Sequence, residues 1–382
     1  MKKLLSGRIA SLEESATLAL NAKVKQMQAE GREVFNLTAG ELDFSTPDYI
    51  QKSVAGQLDQ NKYTAAAGLP GLRQAIAQYE NKRLGLSSIE AANIVVTAGA
   101  KTGLYGLLQV LLNPGDEVIL PIPAWVSYVH MITLAGGQAI PVPLTPKADL
   151  DAETIKKSLT PKTKLIIINS PHNPTGAVFS KKALTNLART IKGKPVMVIS
   201  DEIYATLTYG KQFVSIAELG LPLKQTLIIN GFSKSQALTG WRIGYAVAPT
   251  EIASALTSFL SHATGNAALP GQLAALAALK KNNQPQGLGV LKKRERLVET
   301  QLKKTKAIRF SPPGGAFYFW LDIRSLTKNS TNWCEQLLHK TGVALVPGDA
   351  FFAPGFARLS FAADEKVLAE AMQRLRQFVE KR

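Results

Sequence analysis

The sequence of 382 residues contains a single cysteine and only four histidines. Cys334 therefore has no partner for an intrachain disulfide, and these few side chains do not provide the ligand spacing of a zinc site. The N-terminus lacks the apolar stretch of a signal peptide, and no run approaches the roughly 18 apolar residues of a membrane-spanning helix. These absences predict a protein of the reducing cytoplasm that is neither exported nor embedded in a membrane.

Acidic residues are also few, since 28 Asp and Glu stand against 45 Lys and Arg, which gives a formal net charge of +17. An excess of basic residues can indicate nucleic-acid binding, but the lysines here are scattered in pairs along the chain and no nucleic-acid-binding module is apparent. We therefore expect a basic surface that attracts anionic small molecules, with no nucleic-acid partner.

Short apolar runs alternate with helical patterns through the middle of the chain. Apolar runs without polar alternation are typical of strands buried on both faces, as in a parallel sheet covered by helices. The sequence therefore predicts an α/β fold with a mostly parallel central sheet sandwiched by helices, and ligands at the carboxyl ends of its strands. The seven runs are NIVVTAG, DEVILPIP, QAIPVPL, KLIIINSP, PVMVISDE, QTLIINGF and WRIGYAVAP.

The rest of the chain predicts a second, smaller α+β unit. A helix is expected over residues 48–58. The charged run LKKRERLVETQLKK predicts a long helix between two lobes. Beyond it, FYFWLDI, VALVPG and ARLSFA are expected to form strands, and residues 365–380 a closing amphipathic helix.

Several common site motifs are absent. Neither GxGxxG nor the phosphate-binding loop GxxxxGK occurs, and GxSxG, which marks a serine hydrolase, is also missing. The four histidines have no obvious serine partner, and His172 is expected to be a loop residue. The segment Gly99 to Gly103 follows a predicted strand and opens a helix, so its amides are suited to an anion.

Four polar segments follow predicted strands in order: SPHNPTG (170–176), DEIY (201–204), GFSK (231–234) and GWRIGY (240–245). At one sheet edge they supply an amine, a carboxylate, a phenol, an amide and a guanidinium, which is the set that a pyridoxal phosphate enzyme needs.

These segments, with ESATLALNAK, GELDFSTP, YTAAAGLPGLR, TAGAKTGLYG, PIPAWVSY, PPGGAFY and RLSFA, resemble the class I aminotransferases of the aspartate aminotransferase fold in order and spacing. The resemblance covers nearly the whole chain. It implies the cofactor pyridoxal 5'-phosphate, fold type I, a large cofactor-binding domain over residues 42–291, and a small domain made of residues 1–41 and 292–382.

The resemblance assigns the reacting groups. Lys234 is the expected Schiff-base lysine, and Ser233 and Arg242 are expected to bind the cofactor phosphate. Asp201 is expected to pair with the protonated pyridine nitrogen, because a buried carboxylate is costly without a cation. Tyr204 is expected, as a third catalytic residue, to hydrogen-bond the cofactor's phenolic oxygen.

Further residues are implied around the cofactor and substrate. Asn173 is expected to share the phenolic oxygen with Tyr204, and Trp125 to stack on the ring, so that both also face the substrate. Tyr63 resembles the tyrosine that reaches the neighbouring subunit's phosphate, which implies a homodimer. The phosphate is further assigned to the backbone amides of Gly99, Ala100 and Lys101.

Besides Asn173 and Trp125, the resemblance implies substrate recognition by three residues. Arg358 matches the arginine that takes the α-carboxylate in a bidentate fork, and Gly40 helps to close the same pocket. Lys101, with Ser15 and Thr17, resembles the bacterial aspartate aminotransferase subgroup, in which a lysine meets the distal carboxylate. The resemblance thus implies L-aspartate and 2-oxoglutarate as substrates in a ping-pong exchange.

Because the sequence departs from the family pattern at three places, other functions remain as alternatives. Leu42 replaces a usual proline, Gly231 a usual phosphate-binding serine, and Ala267 to Leu269 a usual Pro-Thr-Ser. The alternatives are an aromatic, methionine or alanine-type aminotransferase, a carbon–sulfur β-lyase, and a non-enzymatic regulator. The regulator is disfavoured because no separate DNA-binding module precedes the resemblance.

Overall fold

The computed structural model describes residues 6–10, 12, 16–60 and 62–381. No helix in these ranges has the length and hydropathy needed to cross a membrane. The helices are α1 (Gly7–Ala10), α2 (Ala16–Ala29), α3 (Asp48–Ala55), α4 (Pro70–Leu84), α5 (Ala100–Leu111), α6 (Ser127–Leu134), α7 (Ala152–Lys157), α8 (Lys181–Ile191), α9 (Thr250–Ala263), α10 (Leu269–Lys280), α11 (Leu288–Lys303), α12 (Ser330–Thr341) and α13 (Glu365–Glu380).

Most strands belong to one large sheet, with strand order β2-β8-β7-β6-β5-β3-β4. Its strands pair in parallel except β8, which runs antiparallel to both β2 and β7. These strands coincide with the seven apolar runs, so the mostly parallel sheet is confirmed. The strands are β1 (Phe35–Asn36), β2 (Ile94–Thr97), β3 (Glu117–Ile122), β4 (Gln138–Pro143), β5 (Thr163–Asn169), β6 (Met197–Asp201), β7 (Thr226–Gly231), β8 (Gly244–Val247), β9 (Arg309–Phe310), β10 (Tyr318–Asp322), β11 (Val343–Ala344), β12 (Val346–Pro347) and β13 (Phe356–Ser360).

Helices cover both faces of the large sheet. Every residue of β7 is buried, and its side chains alternate between two hydrophobic cores. Ile228 packs with α3, α4 and α10, whereas Leu227 and Ile229 pack with α5, α6 and α9. Helices α7 and α8 pack on the sheet through a further core. The predicted sandwich is therefore confirmed, and the continuous apolar character of the strands follows from burial on two sides.

A four-stranded antiparallel sheet, β12-β13-β10-β9, forms the second unit. Its core includes Phe35 and Leu37 from the N-terminal part of the chain, and it is covered by α11, α12 and α13. Helix α13 turns one apolar stripe toward this core at helical spacing, as its sequence predicts. The buried residues of the stripe are Leu368, Ala371, Met372, Leu375, Phe378 and Val379.

Two elements differ from the sequence prediction. The helix expected over residues 48–58 ends at Ala55, because Gly56 follows and glycine disfavours helix interiors. The run VALVPG forms two strands, not one: β11 pairs in parallel with β1, whereas β12 pairs with β13. The chain passes from one sheet to another at Leu345, and an apolar run alone does not reveal such a crossing.

A buried ionic cluster ties α4 to the carboxyl end of β6. Arg83 Nη2 lies 2.5 Å from both Glu80 Oε2 and Glu202 Oε2, and both carboxylate side chains are fully buried. The Tyr245 hydroxyl donates a hydrogen bond to Glu80 at 2.5 Å. Since Glu202 directly follows Asp201, this cluster fixes the turn that leads out of the strand.

Leu375 provides a test of the packing of α13. Leu375→Ala removes a fully buried side chain and leaves a cavity, so we expect the free energy of unfolding to fall by about 2–5 kcal/mol. Urea denaturation followed by far-UV circular dichroism measures this change. Gln373→Ala, at an exposed position of the same helix, is the control and should change stability by less than about 0.5 kcal/mol. Equal effects of the two substitutions would contradict the packing described here.

Candidate active site

A cavity of about 600 Å³ lies at the carboxyl ends of β5, β6 and β7, against the second sheet. Parallel strands end at the same edge, so the polar segments that follow them converge there. Eleven of the thirteen residues predicted from the sequence line the cavity. They are Gly40, Ala100, Lys101, Trp125, Asn173, Asp201, Tyr204, Ser233, Lys234, Arg242 and Arg358.

The Lys234 amine is half-buried at the end of β7 and donates a short hydrogen bond to the carbonyl oxygen of Gly40. Desolvation, together with the nearby Arg242 and Arg358, lowers the pKa of Lys234 to about 8, although Glu41 acts in the opposite direction. A lysine with such a pKa has a substantial neutral fraction near neutral pH. The side chain is therefore suited to act as a nucleophile and a base.

The Asp201 carboxylate is buried at the end of β6 and is held from two sides. Its Oδ2 accepts a hydrogen bond from the Tyr128 hydroxyl at 2.7 Å, and its Oδ1 accepts one from the backbone amide of Ile203 at 3.2 Å. Desolvation raises the pKa of Asp201 to about 6 in spite of these donors. A cation placed beside this carboxylate would be strongly favoured, because it would relieve the cost of the buried charge.

Tyr128 is a site residue that the sequence analysis missed. Its ring packs edge-to-face on Trp125, with the centroids 5.2 Å apart, while its hydroxyl reaches Asp201. Trp125 lies just before α6 and Tyr128 in its first turn, and a separation of three positions brings side chains together across a helical turn. That spacing is the one signal in the sequence from which Tyr128 could have been found.

The N-terminus of α5 forms a positively polarised corner of the cavity. Gly99 precedes this helix with φ +84°, and a Cβ there would lie 2.6 Å from Arg242 Nη2, so only glycine leaves room for the guanidinium. Arg242 is held by the carbonyl oxygen of Thr239, to which its Nη1 donates at 3.0 Å. The amides of Ala100 and its neighbours, the Arg242 guanidinium and the Ser233 hydroxyl together suit a phosphate group.

Arg358 extends from β13 of the second sheet into the cavity. Its Nη1 donates to Asn173 Oδ1 and its Nη2 to the carbonyl oxygen of Thr38, both at 2.8 Å. Within the described ranges its buried Nε has no hydrogen-bond partner. The Arg358 guanidinium also lies over the ring of Tyr318, at 4.3 Å from the centroid. An arginine held this firmly, with one buried N–H unpaired, is suited to bind a carboxylate.

Tyr204 and Tyr318 are joined through their hydroxyl groups. The two oxygens lie 2.9 Å apart and both side chains are buried. Tyr204 was predicted as a site residue, whereas Tyr318, in PPGGAFY, was not assigned a role. Thr239 and Asn169 also line the cavity without having been predicted.

Lys101 faces the cavity from the first turn of α5. Its Nζ lies 4.7 Å from the ring centroid of Trp125 and 3.5 Å from Ser127 Oγ. Desolvation and the charge of Arg242 lower the pKa of Lys101. Ser15 and the side chain of Thr17, which the resemblance places with this lysine, lie outside the part of the chain that the structure describes.

Two predicted residues do not line the cavity. Gly99 is not part of the lining, but it directly precedes Ala100 and leaves space for the Arg242 guanidinium. Tyr63 is 98% exposed and is not part of the cavity lining. Across the ranges that the structure describes, no group of three or more His, Cys, Asp or Glu side chains is arranged to hold a metal ion.

The family departures lie outside the cavity lining. Leu42 is buried in the core of the second unit. A Cβ at Gly231 would lie 3.0 Å from the Gly244 Cα and 3.1 Å from the Ile243 carbonyl oxygen, so the close pairing of β7 with β8 leaves little room for a side chain. At the start of α10, Ala267 is buried and Ala268 exposed.

His172 lies in the loop after β5, as predicted. Its side chain is buried, and its Nδ1 lies 2.7 Å from Thr175 Oγ1. Burial lowers the pKa of His172 to about 3, so the ring is neutral at physiological pH. It supports the loop that carries Asn173.

Comparisons with known proteins agree with this geometry. Residues 32–375 match the family described as aminotransferase class I and II. The chain is 40% identical to an aspartate aminotransferase of Bacillus sp. (strain YM-2), and the match covers 99% of this chain and 100% of that protein.

Solved structures give the same result. The fold is similar to the crystal structure of aspartate aminotransferase from Thermotoga maritima, with a TM-score of 0.94, 39% identity and coverage of 98% of this chain and 100% of that one. It is also similar to the Thermus thermophilus aspartate aminotransferase with maleate, with a TM-score of 0.93, 37% identity and coverage of 98% and 99%. The chain belongs to the class I and II aminotransferases and is an enzyme of the pyridoxal phosphate-dependent aminotransferase type.

Proposed function

We propose that the enzyme transfers the amino group of L-aspartate to 2-oxoglutarate by a ping-pong mechanism. The observation that carries this proposal is that one cavity contains the Lys234 amine, whose pKa is lowered to about 8, and two cationic side chains besides the phosphate-facing Arg242, namely Arg358 and Lys101. Two cations suit a substrate with two carboxylates. The names of the relatives, which are aspartate aminotransferases, support the same substrate class.

The cavity fits pyridoxal phosphate at both ends of the cofactor. The α5 N-terminus, Ser233 and Arg242 would hold the phosphate, and Asp201 would pair with the ring nitrogen. Two observations support this fit: Gly99 leaves room for the Arg242 guanidinium, and the buried Asp201 carboxylate forms no ion pair within the described residues. When bound, the cofactor supplies an electron-withdrawing ring that makes the α-proton of an amino acid labile.

The remaining residues facing the ring would orient it. Asn173 and Tyr204 contribute an amide and a phenol to the lining of the cavity, where they would hydrogen-bond the phenolic oxygen. Trp125 presents a flat apolar surface that would fix the plane of the ring. Tyr128 would keep the Asp201 carboxylate oriented toward the ring nitrogen.

Lys234 would transfer the proton of the substrate α-carbon. Because its pKa is about 8, its Nζ can accept a proton from the substrate α-carbon and release it again near neutral pH. Gly40, whose carbonyl oxygen accepts a hydrogen bond from this amine, would keep the nitrogen in the cavity.

Arg358 would bind the α-carboxylate that every amino acid carries, and Lys101 the distal carboxylate of aspartate or 2-oxoglutarate. An aromatic, methionine or alanine-type substrate would leave the Lys101 charge without a partner. A β-lyase would need no oxo-acid acceptor and would release ammonia, so product analysis separates it from transfer. Family membership supports an enzyme and argues against a non-enzymatic regulator.

We also propose a large domain over residues 42–291 and a small domain made of residues 1–41 and 292–382, because the cores of the two sheets divide the chain approximately in this way. The exposed Tyr63 supports a homodimer in which it reaches the neighbouring phosphate site. The single cysteine is consistent with a cytoplasmic location.

Lys234→Ala tests the central assignment. We expect the variant to bind pyridoxal phosphate without a covalent link and to lose turnover of aspartate and 2-oxoglutarate by about 1000-fold or more, because it lacks the nucleophile and the base. Steady-state kinetics measures turnover, and mass spectrometry after borohydride reduction detects the covalent link. Lys181→Ala, an exposed lysine of α8, is the matched control and should leave both unchanged. Normal turnover in Lys234→Ala would overturn the assignment.

Lys101→Met tests the substrate. Removing the charge should lower kcat/KM for aspartate by about 10- to 100-fold, since a hydrogen bond to a charged group contributes about 1.5–3 kcal/mol. The conversion of the bound cofactor by aspartate alone, followed by absorbance, gives this number, and phenylalanine and methionine serve as parallel substrates. Their conversion should change by less than threefold. An equal loss for all three amino acids would point to a structural role for Lys101.

Tyr128→Phe tests the support of Asp201. The Tyr128 hydroxyl stabilises the ionised carboxylate, so its loss should raise the Asp201 pKa above about 6. We expect the pH below which the apoenzyme loses affinity for pyridoxal phosphate to rise by about 0.5–1 unit, because binding then requires removal of a proton from Asp201. Fluorescence titrations between pH 5 and 8 measure this. Tyr105→Phe, which loses a hydroxyl on α5 that accepts from Gln109, should follow the wild-type curve.

A further inference from the structure

Tyr318 occupies the junction between the two sheets. It lies on β10, where its register opposite Ser360 of β13 fixes its place in the second sheet, and its side chain is fully buried. From there its side chain crosses to the large sheet and packs edge-to-face on Tyr204, with the centroids 6.0 Å apart. A single ring is therefore in contact with the carboxylate-binding side and the cofactor-facing side of the site.

The Tyr318 hydroxyl has one side-chain partner, the Tyr204 hydroxyl at 2.9 Å, and no further hydrogen bond within the described ranges. The hydroxyl also lies close to Gly40, where a Cβ would be 3.4 Å from the oxygen. Burial raises the pKa of both phenols, and the Arg358 charge counteracts the rise for both. Either oxygen can be the donor in this geometry, but a hydroxyl has one hydrogen. If Tyr204 gives its hydrogen to the cofactor, as in the proposed function, its oxygen can only accept, and Tyr318 is then the donor.

The ring of Tyr318 has a separate contact. The Arg358 guanidinium carbon stands 4.3 Å from the ring centroid, and Phe351 flanks the same guanidinium at 5.1 Å. A cation over an aromatic face is attracted to it, and more strongly when both are buried. With Nη1 on Asn173 and Nη2 on Thr38, this contact restricts the remaining freedom of the guanidinium.

We propose that Tyr318 is a positioning residue that serves two sites through different atoms: its hydroxyl orients the Tyr204 hydroxyl toward the cofactor, and its ring holds Arg358 for the substrate carboxylate. This inference rests on the proposed function, in which Tyr204 faces the cofactor and Arg358 the substrate. The two roles are separable, because one substitution removes the hydroxyl and keeps the ring, whereas another removes both.

The holoenzyme provides the test, with Tyr318→Phe, Tyr318→Met and the control Tyr105→Phe. Three quantities are measured: the pH midpoint of the absorbance of the bound cofactor, the dissociation constant of maleate, and kcat and KM for aspartate. The titratable groups that act on the Tyr204 hydroxyl are Tyr318, Arg358 and Asp201, and only the first is altered.

For Tyr318→Phe we expect the absorbance midpoint to rise by about 0.5 unit or more. A Tyr204 hydroxyl that no longer receives a hydrogen bond is a weaker donor, so more negative charge remains on the phenolic oxygen and nearby protons are held more tightly. We expect kcat to fall by about 3- to 10-fold, while KM and maleate affinity stay within twofold. For Tyr318→Met the same midpoint shift should be joined by maleate binding about 5- to 30-fold weaker, through loss of the aromatic face.

A Tyr318→Phe titration that overlays the wild-type curve overturns the proposal, as does weakening of maleate binding by Tyr318→Phe to the same extent as by Tyr318→Met. Thermal unfolding of the apoenzyme shows whether Tyr318→Met folds correctly. If it does not, the absorbance titration of Tyr318→Phe still tests the proposal. Failure of the proposed function gives a different result: wild-type enzyme would then not be converted by aspartate, while the absorbance titration and maleate binding would still report on Tyr318.

Discussion

The site depends on the burial of the central parallel strands on both faces. Since β5, β6 and β7 are enclosed by helices on either side, their middle residues are apolar and the polar side chains of the site gather where the strands end. Parallel pairing then brings Asn173, Asp201 and Lys234 to one edge, although about 30 residues separate each from the next. The ionic cluster of Glu80, Arg83 and Glu202 links α4 to the turn that follows Asp201 at this edge.

Desolvation at this edge changes the acid–base balance of the cavity. In water a carboxyl and an amine have pKa values of about 3.9 and 10.4, whereas Asp201 and Lys234 are brought to about 6 and about 8. The difference between the two pKa values narrows because burial disfavours the charged form of each group. The two cationic side chains near Lys234 lower its pKa further. Each of these two groups can therefore gain or lose a proton at a small cost in free energy near neutral pH.

Sequence patterns predicted the parts of the structure that local chemistry determines. The seven apolar runs predicted the large sheet, the stripe of α13 its helix, and the order of motifs the residues that line the cavity. Contacts made only by tertiary packing were not predicted. Tyr128 and Tyr318 look like ordinary core aromatics in the sequence, and what distinguishes them is the placement of one hydroxyl against Asp201 or Tyr204. VALVPG divides between two sheets because its partners β1 and β13 are distant in the chain.

The two carboxylate-binding side chains lie on different parts of the protein. Arg358 lies on β13 of the second sheet, whereas Lys101 lies on α5 of the large one. With the roles proposed above, the group common to all amino acids and the group that differs among them are recognised by separate stretches of the gene. Natural selection can then alter substrate preference through the surroundings of α5 while leaving the Arg358 anchor and the proton-transfer chemistry intact, so this arrangement favours evolutionary divergence of specificity on a constant catalytic scaffold.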